Sequence, residues 1–109
     1  MFEARERAEE ALFAHHQEMR FQAHARRNKL FGLWVADQRG FVGEAAQNYA
    51  ASLMLEDFPH YSASSVLNRV VSDLAEQGIS VREHELATAL AASADRAQDE
   101  IMERLSRDM

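Results

Sequence analysis

The stretch from Ala25 to Ala36 reads ARRNKLFGLWVA and divides the chain into two unlike parts. It opens with three basic residues, Arg26, Arg27 and Lys29, and then turns apolar through Leu30 and Trp34, with Gly32 inside the apolar run. Four interpretations fit such a stretch. It is a nucleic-acid patch, an export signal, a membrane anchor, or the point where an exposed segment enters a packed core.

Length and composition remove two of these interpretations. The chain has 109 residues, 47% hydrophobic and 28% charged, which is typical of one small globular domain. It has no cysteine, which excludes disulfides and thiolate metal sites. No apolar run reaches the roughly 18–20 residues of a membrane span. The opening MFEARERAEE mixes both charges, unlike a signal peptide, and the paired arginines lie too far inside for a twin-arginine signal. We therefore expect a soluble cytoplasmic protein that is not membrane-embedded.

Charge is distributed unevenly along the chain. Residues 1–39 hold seven basic and six acidic residues, a net of +1, whereas residues 40–109 hold five basic and twelve acidic residues, a net of −7. Nucleic-acid binding depends on neutralising phosphates, so an acidic body argues against a nucleic-acid partner. The basic cluster is then predicted to be a solvated turn whose arginine stems cover the edge of a buried stripe.

The hydrophobic spacing predicts an all-α protein, a four-helix bundle. The predicted helices cover about residues 3–39, 44–57 and 62–77, and a fourth that runs through Leu105. Ser80 followed by Glu83 has the spacing of a capping box at the start of the fourth helix. Serines at 62, 64 and 65 are candidate caps for the third, and Gly78 suits a left-handed C-terminal cap.

The first half of the long helix differs from the second. It is rich in good helix formers, but its apolar residues are sparse: Phe2, Leu12, Phe13, Met19 and Phe21. A segment of this kind resembles a docking helix that folds into a partner's groove. An ordinary amphipathic helix packed on its own bundle fits the pattern equally well, so both interpretations stay open.

No reactive constellation is visible in the sequence. The five histidines show no metal-binding spacing, and no phosphate-binding loop is present. We therefore predict no catalytic residue, no cofactor, no metal and no enzyme activity. Trp34 is predicted to lie in the core, with ligand stacking as the alternative. Gly32 marks either a close approach of two helices or a flexible joint.

An ordered set of residues in the first third carries a resemblance to a known family. The set comprises Phe2, Arg5-Glu6-Arg7-Ala8, Phe13-Ala14-His15, Glu18, Phe21, Ala23 and the ARRNKL, Gly32 and Trp34 of the opening stretch. It resembles the zeta subunit family, small inhibitors of the F-type ATP synthase in alphaproteobacteria. Weaker agreement continues through Asp57-Phe58, Val70, Asp73-Leu74, Gly78, Val81 and residues 98–101.

The resemblance implies a mobile inhibitory arm, residues 1–21, on a four-helix domain, residues 22–109. In the family the arm inserts as a helix between an alpha and a beta subunit of the catalytic head, near the gamma shaft, and blocks hydrolytic rotation. The implied localisation is the cytoplasmic face of the membrane-bound synthase, and the free protein is expected to be a monomer. The implied contacts are Phe2, Arg5, Glu6, Arg7, Glu10, Phe13, His16 and Phe21.

Some positions depart from the family pattern. His16 stands where the family commonly has Asp, Glu9 replaces an expected aromatic, and Ala11-Leu12 is more apolar than the usual pair. A second hypothesis, from a different functional class, is a small regulatory helical domain that binds a small molecule or nucleotide. Its pocket would form near Trp34 and Tyr49.

Overall fold

The computed structural model describes residues 2–108, with side chains from Glu3 onward, and consists of four helices. They are α1 (Phe2–Gln38), α2 (Gly43–Leu53), α3 (Ala63–Glu76) and α4 (Glu83–Asp108). Residues 2–108 contain no strand. The predicted all-α bundle is confirmed, and the first helix is continuous through both of its halves. The expected mobility of its first half stays a prediction.

The second half of α1 is the centre of the bundle. It packs against both α2 and α4, and its residues are buried on several sides. A helix of 37 residues is about 55 Å long, so α1 alone accounts for most of the 62 Å long axis of the molecule. Because only its second half is enclosed, the first half extends beyond the bundle.

The core forms where apolar faces of all four helices meet around α1. Phe31 and Val35 of α1 are fully buried, as are residues of α2 and α3, and α4 contributes leucines. The contributing side chains from the other helices include Leu53, Val66, Val70, Leu74, Leu86 and Leu90. Trp34 is only partly buried and packs against this cluster from the side.

Gly32 lies at a close contact between α1 and α2. A Cβ atom at this position would stand 2.7 Å from the Cα of Ala50, far inside van der Waals contact. Of the two interpretations of Gly32, the close approach of two helices is therefore the one confirmed. Gly32 lies in the middle of unbroken helix, so nothing marks it as a joint.

The predicted end of the second helix is wrong. α2 stops at Leu53, and residues 54–61 form consecutive turns. Tyr61 ends these turns in the left-handed region, with a φ of 57°. The turns bring Asp57, which the sequence placed on a helix, down into a buried contact with α1. We refer to residues 54–61 as the α2–α3 loop.

The helix caps agree with the sequence in one case of three. After α3, the amide of Gly78 donates to the carbonyl of Ala75 and that of Ile79 to Leu74, a left-handed cap with Gly78 at a φ of 70°. The capping box is wrong, because α4 begins at Glu83, three residues after Ser80. Ser62 precedes α3 as predicted, but its hydroxyl contacts the Ser64 hydroxyl rather than capping the helix.

Candidate functional site

The candidate site is the exposed first half of α1. Every residue from Glu3 to Glu18 is exposed, although all of them are helical. Two large apolar side chains stand in this segment, with Leu12 56% and Phe13 66% exposed. Six of the predicted contacts lie here: Arg5, Glu6, Arg7, Glu10, Phe13 and His16. The side chain of Phe2, a seventh, lies outside the described part of the chain.

Helical geometry sorts these contacts onto more than one face. Glu6, Glu10 and Phe13, at intervals of four and three residues, share one face of the helix. Glu6, Glu9, Glu10 and Phe13 together line a shallow depression of about 300 Å³. Arg5 and His16 lie roughly 90° away around the axis. A partner that contacts all of them must therefore enclose the helix rather than touch one side.

Arg20 and Phe21 are in contact with the body of the protein. The ring of Phe21 meets that of Phe58 edge-on at 5.4 Å, and the guanidinium of Arg20 lies 4.8 Å from the ring centre of Tyr61. Phe21, the last predicted partner contact, is therefore already packed on the chain's own α2–α3 loop, although it stays 36% exposed. The division of the chain into functional units at residue 21 stays a prediction.

The basic cluster is not a solvated turn, and that prediction is wrong. Arg27 is buried in mid-helix and donates to Asp57 Oδ2 at 2.6 Å, while Asn28 Nδ2 donates to Asp57 Oδ1 at 2.8 Å. Arg26 donates to Glu100 Oε2 of α4 at 2.6 Å, and the bonds from Arg26 lower the pKa of Glu100. Both arginines therefore join α1 to the rest of the bundle.

The Arg27–Asn28–Asp57 network is the polar centre that sequence reasoning missed. Asn28 also donates to the main-chain carbonyl of Met54 at 3.2 Å, so the network ties two points of the α2–α3 loop to α1. The signal available in the sequence was the weak family agreement at Asp57-Phe58. The pairing of Arg27 with Asp57 could not be predicted from the sequence, because 30 residues separate them.

His24 lies beside this network, at the base of the exposed helix. Its ring stacks on Tyr61 at 4.3 Å, and its buried Nδ1 stands 3.5 Å from Asp57 Oδ2 without forming a hydrogen bond. Burial lowers the pKa of His24, and the nearby charge of Arg27 lowers it further, against the opposing effect of Asp57. The folded protein therefore favours the neutral form of His24 more strongly than the unfolded chain does.

The lowered pKa of His24 predicts a pH dependence of stability. The unfolded chain takes up a proton at His24 near its ordinary pKa of about 6.5, while the folded chain resists it. The contribution of His24 to stability is therefore present above that pKa and is lost as the pH falls below it. Urea unfolding at pH 7.5 and 5.5 should show a larger loss for the wild type than for His24→Gln. His60→Gln, at an exposed position, is the matched control, and equal losses for all three proteins would contradict the prediction.

A cavity beside Trp34 bears on the ligand-binding hypothesis. It measures about 480 Å³ and lies between α1 and α4, lined by Leu30, Trp34, His84, Glu85, Thr88, Ala89, Ala92, Ser93 and Arg96. Tyr49 is elsewhere in the bundle, where its hydroxyl donates to Asp73 at 2.8 Å and where burial raises its pKa. The predicted pairing of Trp34 and Tyr49 in one pocket is therefore wrong.

Within residues 2–108, no helix combines the length and apolarity that crossing a membrane requires. No group of three or more acidic or histidine side chains in the described part of the chain is placed to hold a metal ion.

The fold and site define a class: an all-helical protein with a packed four-helix body and a long exposed helical extension. The model of the family described as ATPase inhibitor subunit zeta matches residues 1–100, and the chain belongs to this family. A similar structure, solved in solution by NMR, is 35% identical, with a TM-score of 0.68 over 79% of this chain and 98% of that chain. No curated protein matches the chain.

Proposed function

We propose that this protein inhibits ATP hydrolysis by an F-type ATP synthase, and that the first half of α1 is the inhibitory element. This segment inserts as a helix between an alpha and a beta subunit of the catalytic head, next to the gamma shaft, and blocks rotation. The observation that supports the proposal is the exposed helix at residues 3–18, which extends from a packed body in a chain of the zeta family.

The mechanism is steric. A rotary ATPase must open and close its catalytic interfaces in turn, so a helix held in one interface stops the cycle. The exposed side chains of Leu12 and Phe13 supply the apolar area for such binding. Each would contribute about 1.5–3 kcal/mol on full burial, which offsets part of the loss of translational and side-chain freedom on binding.

The charge around Phe13 specifies the partner surface further. Three glutamates, Glu6, Glu9 and Glu10, line the depression that contains Phe13. Arg5 is within 3.5 Å of Glu9, but this is an exposed pair and contributes little. A groove that accepts this face therefore presents Lys or Arg side chains around an apolar pocket, because carboxylates left unpaired on burial would oppose binding.

We also propose a localisation and an oligomeric state for the protein. It acts at the cytoplasmic face of the membrane-bound synthase, as a monomer when free, and has no catalytic activity of its own. Its contacts on the head are with the alpha, beta and gamma subunits.

Removal of the exposed helix tests the proposal directly. A variant lacking residues 1–18 should lose all inhibition of ATP hydrolysis by the isolated catalytic head, because the inserting helix is absent. Phe13→Ala in the full chain should raise the half-inhibitory concentration about tenfold or more, as expected for a truncated buried aromatic. Val42→Ala removes an apolar side chain that is 81% exposed at the far end of the bundle and should inhibit like the wild type.

Two measurements are made on the truncated protein, its thermal transition and its inhibition of ATP hydrolysis. The thermal transition of the truncated protein reports whether the body, whose core lies in residues 25–101, is still folded. Full inhibition by the folded, truncated protein would contradict the proposed mechanism.

The cavity beside Trp34 supports the second candidate function, a regulatory ligand-binding domain. Its lining combines an aromatic ring with the polar side chains of His84, Thr88 and Arg96. Titration with nucleotides and other anionic metabolites, followed by Trp34 fluorescence and amide NMR shifts, tests it. Saturable shifts confined to this cavity would support ligand binding, and unchanged spectra would remove this candidate.

A further inference from the structure

We infer that the α2–α3 loop is a second part of the docking surface, and that it contacts the rim of the same groove on the catalytic head that receives the exposed helix. The inference rests on the proposed function and adds a second contact region to it. Its residues are Leu55 and Phe58 of the loop together with Phe21 of α1, and we call these three the root patch.

The root patch is apolar and open. Leu55 is 57% exposed, Phe58 51% and Phe21 36%, although all three are large hydrophobic side chains. The rings of Phe21 and Phe58 are in contact, and the amide of Phe58 donates to the carbonyl of Leu55, which places both loop residues in one turn. Contiguous exposed apolar patches, when large, mark protein–protein interaction sites.

The loop that carries the patch is held firmly. Asp57, between Leu55 and Phe58, is buried and bonded to both Arg27 and Asn28. On its other side, Glu56 accepts a bond from Arg69 of α3 at 2.9 Å. Asp57 and Glu56 therefore fix the turn to α1 and α3, while Leu55 and Phe58 of the same turn stay exposed. Such a surface binds without a large ordering cost, because its conformation is already set.

Continuity with the exposed helix indicates what covers the patch. Glu6, Glu10, Phe13, Gln17, Phe21 and His24 follow one another at intervals of three and four residues, which is a single face of α1. Phe13 and Phe21 are eight residues apart, about 12 Å along the axis. A partner that grips the helix at Phe13 on this face therefore reaches the root patch at the end of the same groove.

Charge defines the chemistry of that rim. Arg20 adjoins the patch and is exposed, with its guanidinium over the Tyr61 ring. Among the described residues, no carboxylate forms an ion pair with Arg20, whereas Arg26, Arg27 and Arg69 each have at least one. The rim of the groove is thus apolar with at least one carboxylate that faces Arg20, in contrast to the basic surface expected deeper inside, around Phe13.

Footprinting of the wild-type protein tests the inference without any change to the fold. Hydroxyl radicals oxidise exposed leucine and phenylalanine side chains, so Leu55 and Phe58 should become severalfold less reactive on addition of the isolated catalytic head. Met102, also exposed, is on α4 and should keep its reactivity. Unchanged reactivity of Leu55 and Phe58 in a complex in which Phe13 is protected would overturn the inference and leave the proposed function standing.

A charge variant provides the second measurement. Leu55→Glu places a carboxylate on the root patch and should raise the half-inhibitory concentration at least tenfold. Val42→Glu, which adds the same charge to a remote exposed position, should leave it unchanged, with thermal transitions measured for both. Inhibition by folded Leu55→Glu at the wild-type level would overturn the inference. If Leu55→Glu does not fold, the footprint of the wild type decides.

Other outcomes separate the two proposals. If the protein lacking residues 1–18 inhibits fully, the proposed mechanism fails, and the inference built on it fails as well. Leu55 and Phe58 could instead react little with hydroxyl radicals in the protein without the head, and the protein could sediment with a doubled mass. In that case the patch binds a second copy of the chain, and the inference is overturned. Protection only with the head, together with weak inhibition by Leu55→Glu, supports it.

Discussion

Asp57→Asn is expected to lower the free energy of unfolding by about 3–5 kcal/mol. The substitution keeps the shape of the side chain but removes the charge that faces Arg27. Both partners are almost fully buried, at 4% and 8% exposure, so the guanidinium would be left in the core without a counter-charge. Breaking a buried pair at one partner costs more than the pair contributes, because the remaining ion stays desolvated.

Urea unfolding of three variants checks this expectation. Asp37→Asn makes the same chemical change at an exposed position of α1 and should alter stability by less than about 0.5 kcal/mol. Arg27→Met combined with Asp57→Asn removes both charges and should recover a large part of the loss. A loss of less than about 1 kcal/mol for Asp57→Asn alone would contradict the assignment of a buried ion pair to this loop.

Gly32→Ala is expected to destabilise the protein by about 1–2 kcal/mol, although alanine has a higher helix propensity than glycine. Alanine in place of glycine in mid-helix normally stabilises by about 1 kcal/mol. Here the new methyl group would lie 2.7 Å from the Cα of Ala50, so α1 and α2 must move apart. Overpacking of this kind costs about 1–3 kcal/mol or somewhat more, which exceeds the gain.

A second substitution shows whether the backbone is the obstacle. Ala50→Gly removes the Ala50 methyl group but leaves its Cα in place, so the double variant Gly32→Ala/Ala50→Gly should not regain wild-type stability. Urea unfolding measures both variants. Stabilisation by Gly32→Ala alone would mean that the helices are not in contact at this point and that Gly32 serves another purpose.

The elements that the sequence predicts well are those with local causes. Four helices follow from apolar spacing, and the left-handed cap at Gly78 follows from the residue type. Gly32 is informative because a glycine inside a helix needs a reason, and close packing was one of two that the sequence allowed. The exposed first half of α1 was also visible as a scarcity of apolar residues, although the sequence could not show whether it packed on its own bundle.

The features that the sequence did not predict depend on distant partners. Arg26 and Arg27 looked like a solvated cluster because Glu100 and Asp57 are 74 and 30 residues away. The early end of α2 accompanies the same buried bond, because Asp57 reaches Arg27 from the loop and not from a continued helix. The capping box at Ser80 failed for a related reason: a short local motif competes with tertiary packing and does not decide where a helix starts.

The unbroken course of α1 from the exposed tip into the core has a mechanical consequence. While the helix is intact, the orientation of the body fixes the direction in which Phe13 points. Each residue inserted or removed between them changes the reach by about 1.5 Å and turns the tip by about 100°. Removing seven residues would turn the tip by only about 20°, whereas removing five would turn it by about 140°. The length of the exposed helix and the direction of Phe13 are thus coupled. A relative with the same continuous helix keeps that direction only if its helix length changes by close to a whole number of turns.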